Sequence, residues 1–136
     1  MKSYLGLGSN LGQREDNLTE ALKRISEKAG KVLLQSSLYY SEPWGFDSDQ
    51  HFVNQVVLVE TDLEPLDLLH SLQTIEREMG RKQKAPGNGY EDRIIDIDIL
   101  LYDDLELDLP ELKVPHPQMK ERDFVQKPLN EILGLI

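Results

Sequence analysis

Cysteine is missing from the chain altogether. Its absence excludes disulfides, zinc–thiolate sites and cysteine nucleophiles, and fits a reducing compartment. No apolar run approaches the ~20 residues of a membrane span. The start, Met1-Lys2-Ser3-Tyr4-Leu5, also lacks the apolar stretch of a signal peptide. A cytoplasmic protein with no membrane partner is the expectation. Basic residues are the minority: fifteen Lys and Arg stand against twenty-five Asp and Glu, a formal charge of −10. Such a field disfavours nucleic acid, which needs a basic face. Internal repeats, linkers and low-complexity segments are absent too. The 136 residues suit one domain, 1–136, large enough to bury a core.

What the chain does have is a pair of acidic residues in an awkward place. In Arg93-Ile94-Ile95-Asp96-Ile97-Asp98-Ile99-Leu100-Leu101, strand period puts Ile95, Ile97, Ile99 and Leu101 on one face. Asp96 and Asp98 fall on the other, with Cα atoms roughly 7 Å apart. Two such carboxylates repel each other unless a cation lies between them, and Asp is depleted from strands. A solvated strand face is the plain alternative. The apolar flanks argue against it, because buried carboxylates without partners cost several kcal/mol. Oxygen ligands of this kind select a hard cation, Mg²⁺ above all, completed by water and substrate phosphates. The scarce cations gather on both sides, Arg81, Lys82, Lys84 and Arg93 before the pair and Lys113, His116, Lys120 and Arg122 after it. That grouping suits a metal-bound polyphosphate.

Along the chain, Ser3 to Gly8 reads as a strand and Gly8-Ser9-Asn10-Leu11-Gly12 as a turn. Leu18, Ala21, Leu22 and Ile25 have the spacing of an amphipathic helix from about Arg14 to Ala29, stopped by Gly30. Val32 to Tyr40 is a second strand, Ser41 to Gln50 a loop, and Phe52 to Glu60 a third strand. Pro65 opens a second helix with Leu68, Leu69, Leu72, Ile75 and Met79 as its buried stripe. A polar loop, Lys82 to Asp92, leads into the aspartate strand. The tail from Met119 reads as one or two short helices interrupted before Pro128. The order β-α-β-β-α-β predicts an α+β, ferredoxin-like antiparallel sheet. Both helices would pack on one face, with substrate loops over the other, helix-free face that carries Asp96 and Asp98.

Other residues carry two readings each. Gln73 and Glu76 lie beside the apolar stripe of the second helix, and either snorkel to water or touch a ligand. Asn54 interrupts an apolar strand, so its amide needs partners and either reads a heterocycle or ties down a loop. Asn10, in its glycine-rich turn, reads as structural. His116 is presented rigidly between Pro115 and Pro117, with Arg122 and Phe124 following. Trp44, in Glu42-Pro43-Trp44-Gly45, is a core plug or a stacking surface.

Taken together, four segments resemble one family. Gly8-Ser9-Asn10-Leu11-Gly12, Phe52-Val53-Asn54, Arg93 to Ile99 and Val114-Pro115-His116-Pro117-Gln118-Met119 occur in order and at fitting spacing. They look like the 6-hydroxymethyl-7,8-dihydropterin pyrophosphokinases of folate biosynthesis, over essentially the whole chain. The resemblance implies transfer of diphosphate from ATP to the pterin's hydroxymethyl group, releasing AMP. It implies two Mg²⁺ ions held through Asp96 and Asp98, and catalytic support from Arg81 and Arg93. ATP would meet Gln73, Glu76, Lys84, Ile99, Lys113, His116 and Arg122. The pterin would stack between Phe52 and Phe124, bonded by Asn54 and closed in by Glu42, Pro43 and Trp44. A monomer acting on small molecules is expected. The segment Lys82 to Arg93 departs from the family pattern, with Tyr90 where many members carry tryptophan and fewer arginines. Two rivals remain: another Mg²⁺-dependent phosphohydrolase, and a non-enzymatic ferredoxin-like binding domain. The second needs exposed strand aromatics and a basic sheet face.

Overall fold

The computed structural model describes residues 1–41, 51–80 and 94–134. Strand β1 (Lys2–Ser9) buries Ser3, Leu5, Leu7 and Ser9 on one face. Helix α1 (Arg14–Lys28) lays Leu18, Ala21 and Ile25 against that face, with Glu15 and Asp16 in its first turn to suit the helix dipole. Strands β2 (Lys31–Gln35), β3 (Tyr39–Ser41) and β4 (Phe52–Glu60) follow. Helix α2 (Pro65–Glu78) then leads to β5 (Asp96–Tyr102), a small hairpin of β6 (Leu107–Asp108) and β7 (Lys113–Val114), and helix α3 (Asp123–Leu133). The main sheet runs β2-β4-β1-β5, all antiparallel, with β3 also on β4. The expected β-α-β-β-α-β order and α+β class are present.

Three local readings change. The strand expected over Val32 to Tyr40 is two strands. Gln35 pairs Val57 while Tyr39 pairs Asn54, so the chain carries one residue more than its partner between those points. Ser36 fills the break: its N–H donates to Val56 O at 2.9 Å and its hydroxyl accepts the Val56 N–H at 3.0 Å. In β5, Tyr4 pairs Leu101 but Leu5 pairs Ile99, which leaves Leu100 as a bulge. Leu100 and Leu101 therefore both serve the second face. Tyr102, not Leu101, continues the Ile95, Ile97, Ile99 stripe in the main core.

The third correction concerns the face expected to be free of helices. Helix α3 covers part of it, burying Val125, Leu129 and Ile132 with Met119 against Val56, Leu58 and Leu100. The helix runs through Pro128 instead of stopping before it. Burying three aliphatic side chains at ~1.5–3 kcal/mol each outweighs the ~3 kcal/mol of an interior proline. Glu131 pins α3 to the β2–β3 connection, accepting the Tyr39 hydroxyl at 2.8 Å and the Ser37 N–H at 2.9 Å. The Tyr39 bond first, then the Ser37 bond, holds its carboxyl below the usual range.

Gly30, just past α1, has its reason in close approach. A Cβ there would stand 2.3 Å from the Glu60 carbonyl oxygen and 3.1 Å from the Thr61 Cα, both backbone. Gly30→Ala is expected to cost about 1–3 kcal/mol or more, since two strand ends must part. Urea denaturation should show a lower midpoint with an unchanged slope; an unchanged midpoint would refute the close-contact account.

Candidate active site

The second sheet face holds a cleft, open to solvent, between the sheet and the start of α3. Its floor is made by glycines. Gly8 of β1 pairs Asn54 of β4 on one side and Asp96 of β5 on the other. Gly6 sits in the same way between Val56 and Asp98. A Cβ on Gly8 would lie 3.2 Å from Asn54 Oδ1 and 3.5 Å from the Phe52 ring, and one on Gly6 would touch Leu100. Without those side chains a flat trough crosses three strands. It is bounded by Phe52 and Asn54 on β4 and by Asp96 and Asp98 on β5, about 10 Å away at two strand spacings. In the sequence these glycines read only as strand and turn residues. Their meaning needs the register, which puts each of them between a β4 residue and an aspartate.

Asp96 and Asp98 are half-buried and line the cleft, as the period-2 reading places them. Among the described residues β5 is the outer strand of the sheet, and α2 packs against it. Glu76 is 4% exposed, and its carboxylate accepts the N–H of Ile97, the residue between the two aspartates, at 2.8 Å. Glu76 therefore does not snorkel to water. Among the described residues no three His, Asp or Glu gather as a metal cage. Two carboxylates opening on a cleft supply part of a hard cation's shell and leave the remainder to water and substrate oxygens, which is how Mg²⁺ is commonly held. The donor set fits such an ion.

The roof comes from the segment after β7. Arg122 is 3% exposed, and burial pushes its guanidinium down to about 10, so it stays charged at neutral pH. It lines the same cleft as the aspartates, and its guanidinium carbon lies 5.6 Å from the centre of the Phe124 ring. Arg122 Nη2 donates to Gln118 Oε1. The Gln118 N–H in turn donates to His116 Nδ1 at 3.2 Å, which puts the proton of a neutral ring on Nε2. The His116 N–H donates to Leu100 O at 2.9 Å, so this segment is fastened to the bulge of β5.

Not every expected residue lines the cleft. Phe52, Asn54, Asp96, Asp98, Arg122 and Phe124 do. Ile99 turns its side chain into the main core on the opposite face. Lys113 is exposed on the β6–β7 hairpin with its ammonium 3.4 Å from Asp108. Gln73 is half-buried on α2 and His116 half-buried before the 3₁₀ turn Met119–Glu121. Glu42, Pro43, Trp44, Arg81, Lys84 and Arg93 lie outside the described residues. Sequence reasoning missed Val125 on the roof and Gln118 between His116 and Arg122. Gln118 stood in the motif but carried no signal of its own.

Residues 4–134 match the family model for 7,8-dihydro-6-hydroxymethylpterin-pyrophosphokinase (HPPK). A 2-amino-4-hydroxy-6-hydroxymethyldihydropteridine pyrophosphokinase of Porphyromonas gingivalis is 50% identical over 130 residues, 95% of this chain and 88% of that protein. The protein of the same name from Aquifex aeolicus is 41% identical over 129 residues, 95% of this chain and 78% of that one. Among solved structures, an HPPK-DHPS chain crystallised in complex with substrates matches 97% of this chain with a TM-score of 0.72. At 16% identity that likeness speaks for the fold alone, and this chain spans 40% of that longer one.

Proposed function

The chain belongs to the 7,8-dihydro-6-hydroxymethylpterin-pyrophosphokinase family, and from that premise we propose how its cleft carries out the reaction. The enzyme transfers the terminal diphosphate of ATP to the hydroxymethyl group of 6-hydroxymethyl-7,8-dihydropterin, a step of folate biosynthesis. The hydroxymethyl oxygen forms a bond to the β-phosphorus. The bond from that phosphorus to the oxygen of the α-phosphate breaks, AMP leaves, and the hydroxyl proton passes to solvent. Such a transfer asks the protein mainly for positioning and charge neutralisation.

In this reading the pterin lies on the glycine floor between Phe52 and Phe124, and Asn54 bonds its polar edge. Aromatic faces give a bicyclic ring a flat apolar slot, and the amide gives it orientation. Asp96 and Asp98 would hold Mg²⁺, two ions, which would supply charge neutralisation to the phosphates. Arg122 meets phosphate oxygens with its paired N–H groups. His116, with its proton on Nε2, donates to an anionic oxygen. Glu76 and Gln73 border the nucleoside, joined by Lys113 and the backbone of Ile99. Arg81, Lys84 and Arg93 add positive charge to the transfer, and Glu42, Pro43 and Trp44 close the pterin pocket. The protein acts as one domain, 1–136, a cytoplasmic monomer.

The observation that carries the reading is the single row Asn54–Gly8–Asp96 across three adjacent strands. It brings a heterocycle-reading amide and a metal-type carboxylate into one trough at about one bicyclic ring's reach. The test is to mix the protein with ATP, Mg²⁺ and the hydroxymethyl-dihydropterin and to identify the nucleotide product. AMP that appears only when pterin is present is the expected result. ADP, or inorganic phosphate released without pterin, would instead fit a phosphohydrolase.

A further inference from the structure

We propose that Ser41 is a positioning residue that sets the direction of the Asn54 amide, and with it the polarity that the pocket offers to the heterocycle. The proposal rests on the assignment of Asn54 to the pterin site. Asn54 is 4% exposed, and its amide is committed on one side. Nδ2 donates to Ser41 Oγ at 2.7 Å and to Tyr39 O at 3.2 Å. The strand register makes both bonds possible, since Tyr39 pairs Asn54 directly and Ser41 pairs Phe52, the next residue on the same face. A backbone carbonyl can only accept, so Tyr39 O settles which amide atom faces β3. Both N–H bonds of Asn54 then point at β3, and Oδ1 points the other way, over Gly8 and toward the cleft.

The chemical consequence is specific. The wall of the trough at Asn54 presents an acceptor, which favours a ring edge bearing N–H donors over one bearing only carbonyl or ring-nitrogen acceptors. A lactam N–H flanked by an amino group is such an edge. Ser41 makes the shorter of the two bonds that hold the amide this way round. Without its hydroxyl, one Nδ2 proton is left without its partner, and the amide gains freedom to swing or turn over. The ligand then meets an acceptor that is present for only part of the time, and its apparent affinity falls with that fraction.

Ser41→Ala is expected to raise KM for the pterin by about 3- to 10-fold, the span of one neutral hydrogen bond. KM for ATP should stay within two-fold, and kcat should change less than the pterin KM. Ser41→Thr retains Oγ and should bring the pterin KM back to within two-fold of the parent. Asn54→Ala separates this proposal from the reading beneath it. If Asn54→Ala leaves the pterin KM unchanged, the pterin site is misassigned. If it raises the pterin KM while Ser41→Ala does not, the site stands and the role of Ser41 is refuted. Equal increases in both KM values for Ser41→Ala, or failure of Ser41→Thr to rescue, would also overturn it. A thermal midpoint taken for each variant identifies any that lose fold in place of geometry.

Discussion

Asp96→Ala and Asp98→Ala should each leave a folded protein that forms AMP at least ~10³-fold more slowly than the parent at saturating Mg²⁺. Removing one fixed electrostatic partner of a developing charge commonly costs ~2.7–4 kcal/mol, or 10²–10³-fold. A metal-bridging carboxylate does more than one such partner, since its loss also misplaces the phosphates. Both aspartates are half-buried on the outer strand and open on the cleft, so their truncation makes no core cavity. Stability should therefore stay within about 1 kcal/mol of the parent. Asp96→Asn and Asp98→Asn sharpen the result, because they keep the shape and remove the charge. Loss of activity in the Asn variants, at an unchanged unfolding midpoint, is the expected pair of findings. An Asn variant that keeps activity within ten-fold would end the metal assignment. A midpoint that drops by many degrees would mean that the pair is structural.

The placement of these two residues was legible because a strand's side-chain period is 2 and both neighbours of each aspartate are isoleucine. Helices α1 and α2 were legible for a similar reason, with leucines and isoleucines at helical spacing and a proline or glycine at an end. The errors came where long-range pairing overrides a local signal. Ser36 reads as an ordinary strand residue, yet its hydroxyl replaces a backbone partner and splits the strand. Leu100 reads as part of an unbroken apolar run, and only the pairing with β1 makes it a bulge. Pro128 reads as a helix breaker until the sheet face that α3 covers is known. The trough shows the same limit in the site. Phe52, Asn54 and the aspartates announce themselves by residue type, whereas Gly6, Gly8 and Ser41 acquire meaning only from the residues across from them. Lys113, by contrast, drew attention by its charge, and its ammonium is beside Asp108.

Glu76 offers the second large effect, and it separates the bond to β5 from the nucleoside contact that the family resemblance implies. Its carboxylate holds the Ile97 N–H at 2.8 Å in a buried position, on a strand with no sheet neighbour beyond it among the described residues. Glu76→Ala removes that acceptor and leaves the N–H without it, which costs ~1–3 kcal/mol. It also frees the stretch of β5 on which both aspartates ride. A displacement near 1 Å can cost ~10²-fold in rate, so kcat/KM is expected to fall by about 10- to 100-fold. Glu76→Gln keeps a carbonyl oxygen that can accept the same N–H, and should hold stability within about 1 kcal/mol of the parent. If the role of Glu76 is to fix β5, the Gln variant also keeps most of its kcat, and the Ala variant loses stability and kcat together. If instead Glu76 acts chiefly through the nucleoside, both variants raise KM for ATP alike and the Ala variant unfolds at the parent's midpoint. Denaturation curves and ATP titrations on the two variants decide between them. The bond to Ile97 predicts the first outcome, because a carboxylate this deeply buried cannot leave that N–H without a loss that unfolding would register.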